Sequence, residues 1–262
     1  IGFMVVPRLN AASRMDDPMR AFELLSIDDE AKAGAIADHL TKINDDRKTM
    51  VVSIMREVNK KFEKNSGREV REVIVVGNPK WKVGVLGLVA SKISYEYQKP
   101  VFVWGKDEND IIKGSCRSDG SVSLVELMRD VDGFFSEFGG HEFAGGFSVF
   151  NEKIHFLEDA LVDSFLKVRR IKDNDEIKYD IVSDLSLVNI KNWKEIEKLA
   201  PFGLANPKPV FLFNSAKIEN IKKFGKNGSG EHLEITFIDS SEKRVKAIAF
   251  FSGLDSFKNS LA

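Results

Sequence analysis

The sequence predicts an α/β protein: a long helix first, then an α/β domain whose mixed sheet is flanked by helices, then a β-rich domain. Three observations carry this. Ala33, Ile36, Ala37, Leu40, Ile43, Met50, Ile54, Met55, Val58 and Phe62 keep helical spacing across about 35 residues. "EVIVVGN", "VLGLVASKISYEY" and "PVFVWG" follow one another as buried strand, helix and strand, a β-α-β unit. Beyond the charged "RRIKDNDE" the texture changes to short strands separated by turns, the pattern of a small β barrel or sandwich.

In chain order, residues 1–66 read as a helical connector. "PRLNAASRM" and "AFELL" open it, Ser26 offers an N-cap with Asp28, Asp29 and Glu30 in the first turn, and "KNSG" stops the long helix at Gly67. Residues 67–170 form the α/β domain. After the β-α-β unit come the strand and loop "DIIKGSCRSDG", a helix over "SVSLVELMRDVDGFFSEF", the glycine-rich "FGGHEFAGG", the strand "GFSVFN" and a helix from 152 to 168. Residues 171–262 supply the strands "KYDIVSDLSL", "PVFLF", "AKIENIKKF", "HLEITFID" and "RVKAIAFF", with one helix, "KNWKEIEKLA", and a hairpin turn at "GKNGSG".

Composition narrows the function. With 43% hydrophobic and 30% charged residues the chain is globular, and its apolar runs fall short of a membrane span, so a cytoplasmic monomer is expected. One cysteine, Cys116, excludes an internal disulfide framework, and four histidines form no C-x-x-C or H-E-x-x-H metal signature. A net charge of −1 excludes coating of nucleic acid by bulk electrostatics. The opening "IGFMVV", which begins at Ile1 rather than with methionine, reads as a piece of something longer.

Four stretches can carry chemistry. "NPKWKVGVLGLVA" leads through Lys82 into a helix N-terminus able to hold an anion, although its glycines equally serve close packing. "KGSCRSDG" sets Ser115, Arg117 and Ser118 at a strand end, either an oxyanion clamp or a solvated turn. "FGGHEFAGGF" surrounds His141 with glycines. Gly139 and Gly140 allow unusual torsions, Gly145 and Gly146 allow close approach, and His141 is expected in the first turn of a short helix, where amides and imidazole could bind a phosphate oxygen, a reading favoured over a tight corner with a histidine capping a carbonyl. "VPRLNAASRM" supplies Arg8, Asn10, Ser13 and Arg14, which share a face toward a ligand or make an ordinary surface cluster. His39, His155 and His232 are assigned to structure.

In this order the four stretches resemble the C-terminal part of the RecJ family of single-strand-specific exonucleases, in the DHH phosphoesterase superfamily. "PRLNAASRM" is similar to the family's Arg-Ile-Asn-Ala-Ala-Gly-Arg, "WKVGVLGLVASK" to its Trp-His-x-Gly-Val-Ile-Gly segment, "GSCRS" to Gly-Ser-Gly-Arg-Ser, and "FGGHEFAGG" to the Gly-Gly-His motif of the DHHA1 substrate-binding domain. "LAPFGLANPKPVF", "HLEIT" and "VKAIAFF" resemble its oligonucleotide-binding (OB) fold. Lys82 stands where the family has histidine, Ser13 and Cys116 replace glycines, and the β region stops at Ala262 before the last strands of such a barrel.

The resemblance implies the substrate-binding part of a 5′-to-3′ single-stranded-DNA exonuclease of DNA repair and recombination. His141 and Arg117 would contact the scissile phosphate, with Arg8, Asn10, Arg14, Lys82, Ser115, Ser118, Gly139 and Gly140 lining the site. The Mn2+ or Mg2+ of the intact enzyme would sit on a preceding DHH domain whose metal ligands this chain lacks, so the chain alone is expected to be inactive. In the β domain, Lys217, Lys222, Lys223 and Lys226 with Phe224 are expected to contact phosphates and stack a base, against the rival that these lysines form an ordinary solvated hairpin. Two alternatives remain: a DHH-type phosphodiesterase of short oligonucleotides or cyclic dinucleotides, and a noncatalytic nucleic-acid-binding module. A Rossmann nucleotide binder is disfavoured, because no G-x-G-x-x-G follows "EVIVVG".

Overall fold

The computed structural model describes residues 1–64, 70–169, 179–203, 205–214, 216–225, 232–250 and 252, and the chain divides into two units, Ile1–Lys172 and Asp173–Ala262. The first unit begins with α1 (Val6–Met15), α2 (Met19–Ser26) and α3 (Glu30–Lys64). Pro7 suits the first turn of α1, whose lost N–H would be unpartnered anyway. The N-cap of α3 is Asp29 rather than Ser26: Asp29 Oδ1 accepts from Lys32 N at 3.1 Å. Ser26 instead ends α2, its hydroxyl turned back onto the Phe22 carbonyl at 2.9 Å, because the chain becomes extended only at Ile27.

The 35-residue α3 serves two cores. Its first half buries Ile36 and Leu40 against Ala12 of α1, and its second half buries Val51, Ile54 and Val58 with Ile74, Val85 and Val89. Truncating the fully buried Leu40 to alanine would cost about 2–5 kcal/mol in such a setting.

A five-stranded mixed sheet follows, in the order β1 (Ile74–Gly77), β2 (Val101–Lys106), β3 (Ile112–Arg117), β5 (Ala144–Val149), β4 (Phe135–His141). β1 and β2 are parallel, joined through α4 (Val83–Tyr97), and every other pairing is antiparallel. One face of the sheet buries Phe102, Ile112, Cys116, Phe135 and Phe147 under α5 (Leu124–Asp130) and α6 (Leu157–Val168). On the other face α4 lies across β2 and β3, where Val101 and Val103 are fully buried.

Two expectations are corrected here. The helix expected over "SVSLVELMRDVDGFFSEF" ends at Asp130; a 3-10 turn, Asp132–Phe134, leads into β4 at Phe135. Burial of Phe135 against Phe138 and Phe147 outweighs the local helical pattern. His141 lies in no helix: it ends β4, and the hairpin turns through Glu142 and Phe143 into β5. Glycine is a poor helix former, whereas its lack of a side chain lets Gly139 pair with Gly146 and Gly140 with Gly145 at close range.

In the second unit, β8 (Lys217–Phe224), β9 (His232–Ile238) and β10 (Arg244–Ala249) form an antiparallel sheet, and β6 (Ile181–Val182) pairs in parallel with β7 (Phe211–Leu212). Among the described residues the strand expected over "KYDIVSDLSL" is only Ile181–Val182, followed by a 3-10 turn at Leu185–Leu187, and the helix expected over "KNWKEIEKLA" is α7 (Ile190–Glu197), which stops three residues short of its end. Among the described residues, no helix is long and apolar enough to cross a membrane.

Candidate nucleic-acid interface

The register of the sheet sets the site. Across β2, β3, β5 and β4 three rows of residues lie side by side: Val101–Arg117–Ala144–His141, Val103–Ser115–Gly146–Gly139 and Gly105–Lys113–Ser148–Glu137. Side chains alternate between faces along a strand, so all three rows point to the α4 side. α4 covers the β2 end. Glu137, Gly139, His141 and Gly146 are exposed at the other end.

The middle strand thus offers only Ala144, Gly146 and Ser148, between a wall bearing Arg117, Ser115 and Lys113 and a wall bearing His141 and Glu137. Strands lie about 4.8 Å apart, so the walls stand about 10 Å apart. A cavity of 670 Å3 occupies the Lys113–Glu137 end of this trough, over Gly139, Gly146 and Ser148 and beside Val83 at the start of α4; Arg117 and His141 stand outside it. A Cβ on Gly139 would meet nothing within 4 Å, and one on Gly146 only the Gly114 carbonyl at 3.8 Å. These two glycines leave the floor open. Their neighbours serve the fold: Gly140 has φ +144°, and a Cβ on Gly145 would press on the Gly139 carbonyl at 2.9 Å and Cys116 Sγ at 3.0 Å.

Arg117 is half-buried and oriented by neutral groups. Its Nε donates to Ser91 Oγ at 3.1 Å and its Nη1 to Ser115 Oγ at 3.1 Å and the Cys116 carbonyl at 2.7 Å, while Ser115 donates to the Gly145 carbonyl. Nη2 has no hydrogen-bond partner among the described residues. Burial, and after it the nearby Arg14 charge, lowers the Arg117 pKa. Arg47 on α3 is perturbed the same way, first by burial and then by Arg14, and its buried Nε has no partner. No carboxylate among the described residues pairs with any of these three guanidiniums. A cationic cluster without a counter-charge is what a bound anion would complete.

His141 Nδ1 accepts from Phe143 N at 3.3 Å, which leaves the proton of the neutral ring on Nε2. Lys113 is held by Asp107 at 2.9 Å, and that hydrogen bond raises its pKa. Cys116 points into the opposite core, where burial pushes its thiol up to about 12. The departure from glycine at this position therefore packs the core and does not touch the trough.

The expected residues do not all meet. Arg14 reaches α4, with Nη1 on the Gly84 carbonyl at 3.4 Å, but Arg8 turns to α3 and donates to Thr41 Oγ1 at 3.0 Å. Six helical residues separate the two by about 120° of rotation, so they share no face. Asn10 is exposed, and its carbonyl accepts from Ser13 Oγ. Lys82, in the N-cap position of α4, is exposed beside the trough. Ser118 closes its own loop, donating to the Val122 carbonyl at 2.7 Å. Sequence reasoning missed Arg47, Lys113 and Glu137, whose places come from packing and register.

On β8, Lys217, Lys222 and Phe224 share one face by register, and Lys223 lies on the other beside Leu233; Lys226 lies outside the described residues. Lys222 stands opposite Glu234, and Phe224 packs on His232 with ring centroids 5.3 Å apart. Among the described residues no group of three or more His, Cys, Asp or Glu side chains is placed to hold a metal ion, so the donor set does not fit a two-metal centre.

Comparison with known proteins agrees with this architecture. Residues 70–167 match the DHHA1 domain family and residues 179–260 the RecJ OB domain family. The single-stranded-DNA-specific exonuclease RecJ of Bacillus subtilis is 30% identical over 257 residues, 97% of this chain and 32% of that protein. RecJ of Thermus thermophilus is 28% identical over 97% of this chain and 35% of its own length. A crystal structure of the latter in complex with Mn2+ superposes with a TM-score of 0.76 at 27% identity, covering 96% of this chain and 36% of that one. The chain spans about a third of the length of these relatives. With a DHHA1 domain followed by a RecJ OB domain, and relatives that match along nearly its whole length, the chain belongs to the RecJ family.

Proposed function

We propose that this chain supplies the substrate-holding part of a 5′-to-3′ single-stranded-DNA exonuclease of DNA repair and recombination. The observation that carries the reading is the trough: a glycine floor with Arg117 on one wall and His141 on the other, in one cross-strand row. His141 offers its Nε2 N–H to a phosphate backbone lying over Gly139 and Gly146, and Arg117, whose Nη2 lies against Gly87 of α4, adds its charge from the opposite wall. Arg117 supplies fixed charge and His141 a donor that strengthens as negative charge develops on the phosphate. Cleavage belongs to the intact protein, with Mn2+ or Mg2+ held by a DHH domain facing this surface. The RecJ OB match weighs against a phosphodiesterase of short oligonucleotides.

Binding of labelled single-stranded and duplex oligonucleotides at low and moderate salt tests this. We expect a preference for single strands that falls with salt, and a loss of at least about tenfold, or 1.4 kcal/mol, when Arg117 and His141 are both changed to alanine. Equal affinity of the double variant and the parent would overturn the assignment.

A further inference from the structure

Beyond the trough, on the other side of Arg117, a second groove of 530 Å3 opens between the C-terminal half of α4 and the tip of the β4–β5 hairpin. Its volume falls in the range of about 300–1,000 Å3 usual for small-molecule sites. Two aromatic rings stand in its walls, Tyr95 at 68% exposure and Phe143 at 50%. Gln98 and Asp119 add polar groups.

The aromatic side chains are set on held backbone. The Phe143 carbonyl accepts from Ser118 N at 3.0 Å, the Glu142 carbonyl from Leu124 N at 3.0 Å, and Phe143 N donates to His141. Tyr95 belongs to the last turns of α4, which Gln98 closes by donating to the Tyr95 carbonyl at 2.7 Å. Exposed rings on pinned backbone lose little freedom when a ligand covers them. The chemistry of the groove differs from that of the trough. The groove's aromatic faces with an amide suit a flat, uncharged, hydrogen-bonding ring.

We infer that the groove between Tyr95 and Phe143 is a nucleobase-stacking subsite, taking the base next to the phosphate held by Arg117. This rests on the phosphate reading of the trough. Arg117 lines the groove and also reaches Ser115 in the trough wall, so a strand crossing it meets charge and then an aromatic surface. Stacking of this kind accepts any base, so the subsite grips single strands without reading sequence.

The test compares an ordinary single-stranded oligonucleotide with one of the same length built of abasic sites. The parent chain should bind the ordinary strand more tightly. Phe143→Leu and Tyr95→Leu, which keep apolar bulk but remove the ring, should each lose about 5- to 150-fold on the ordinary strand and little on the abasic one. Phe143→Tyr should restore binding, and Arg117→Ala should weaken both strands. Thermal melting checks that the variants fold, and should one fail, the other carries the comparison. If both leucine variants bind like the parent while Arg117→Ala does not, the stacking subsite is wrong and the phosphate reading stands. Equal binding of abasic and ordinary strands by the parent also overturns the subsite. If Arg117→Ala is silent too, both readings fall.

Discussion

One face of one sheet is treated in two ways in this molecule. Near α4, the β2 positions of the three rows are Val101 and Val103, fully buried, and Gly105, close against the Trp81 carbonyl, and the sheet is a packed core. Three strands further on, the same rows end in Gly139, His141 and Glu137, exposed and uncovered. A helix that stops short of the sheet edge makes a surface with a rigid floor, and polar residues on the flanking strands then become walls. The adjacent glycines repeat the contrast at atomic scale: Gly145 and Gly140 let strands close up, and Gly146 and Gly139 keep space clear.

The largest expected effect breaks the comparison at its functional end. In an intact exonuclease containing this chain, His141→Ala should lower turnover by about 10²–10³, the usual cost of one lost transition-state donor. Because His141 is exposed, the unfolding free energy should stay within the small range of surface substitutions, about ±0.5 kcal/mol. A large fall in stability with little change in turnover would make His141 a fold residue and reverse the contrast.

Next come the glycines. Gly145→Ala should destabilise the fold by about 1–3 kcal/mol, because its Cβ meets the Gly139 carbonyl, Cys116 Sγ at 3.0 Å and Met128 Cε at 3.2 Å. Gly140→Ala adds the strain of a positive φ to contact with the Ala144 carbonyl. Gly139→Ala should leave stability nearly unchanged yet weaken single-strand binding, since its methyl rises into the trough. Melting curves beside binding isotherms separate the three, and a Gly139 variant as unstable as the Gly145 one would erase the distinction.

Much of this was legible in sequence. The 35-residue α3 announced itself through Ile36, Leu40, Ile54 and Val58, and the β-α-β unit through its apolar runs. The hairpin did not, because "GGHEFAGG" has too few side chains for an alternation to appear, and the pairing of Gly139 with Gly146 exists only once the strands meet. The same holds for Arg47 and Lys113, whose significance lies in neighbours distant along the chain. In the β-rich unit the strand lysines were visible, but the register that puts Lys222 and Lys223 on opposite faces was not.

The smallest expected effect asks whether the site ends at the sheet or extends to the long helix. Arg47 lies on α3, its Nε buried without a partner and its guanidinium perturbed by burial and by Arg14, which also perturbs Arg117. A purely structural arginine in that position would be expected to have found an acceptor, given the cost of an unsatisfied buried donor. If Arg47 adds its charge to a bound phosphate, Arg47→Met should reduce the slope of log affinity against log salt by about 0.7, the share of one phosphate contact on a single strand. Arg47→Lys should keep most of that slope, because a point charge survives even where the fork geometry does not. A structural arginine behaves otherwise: both variants would lose stability and neither would change the slope. The slope therefore decides whether α3, besides joining two cores, contributes a side chain to the interface.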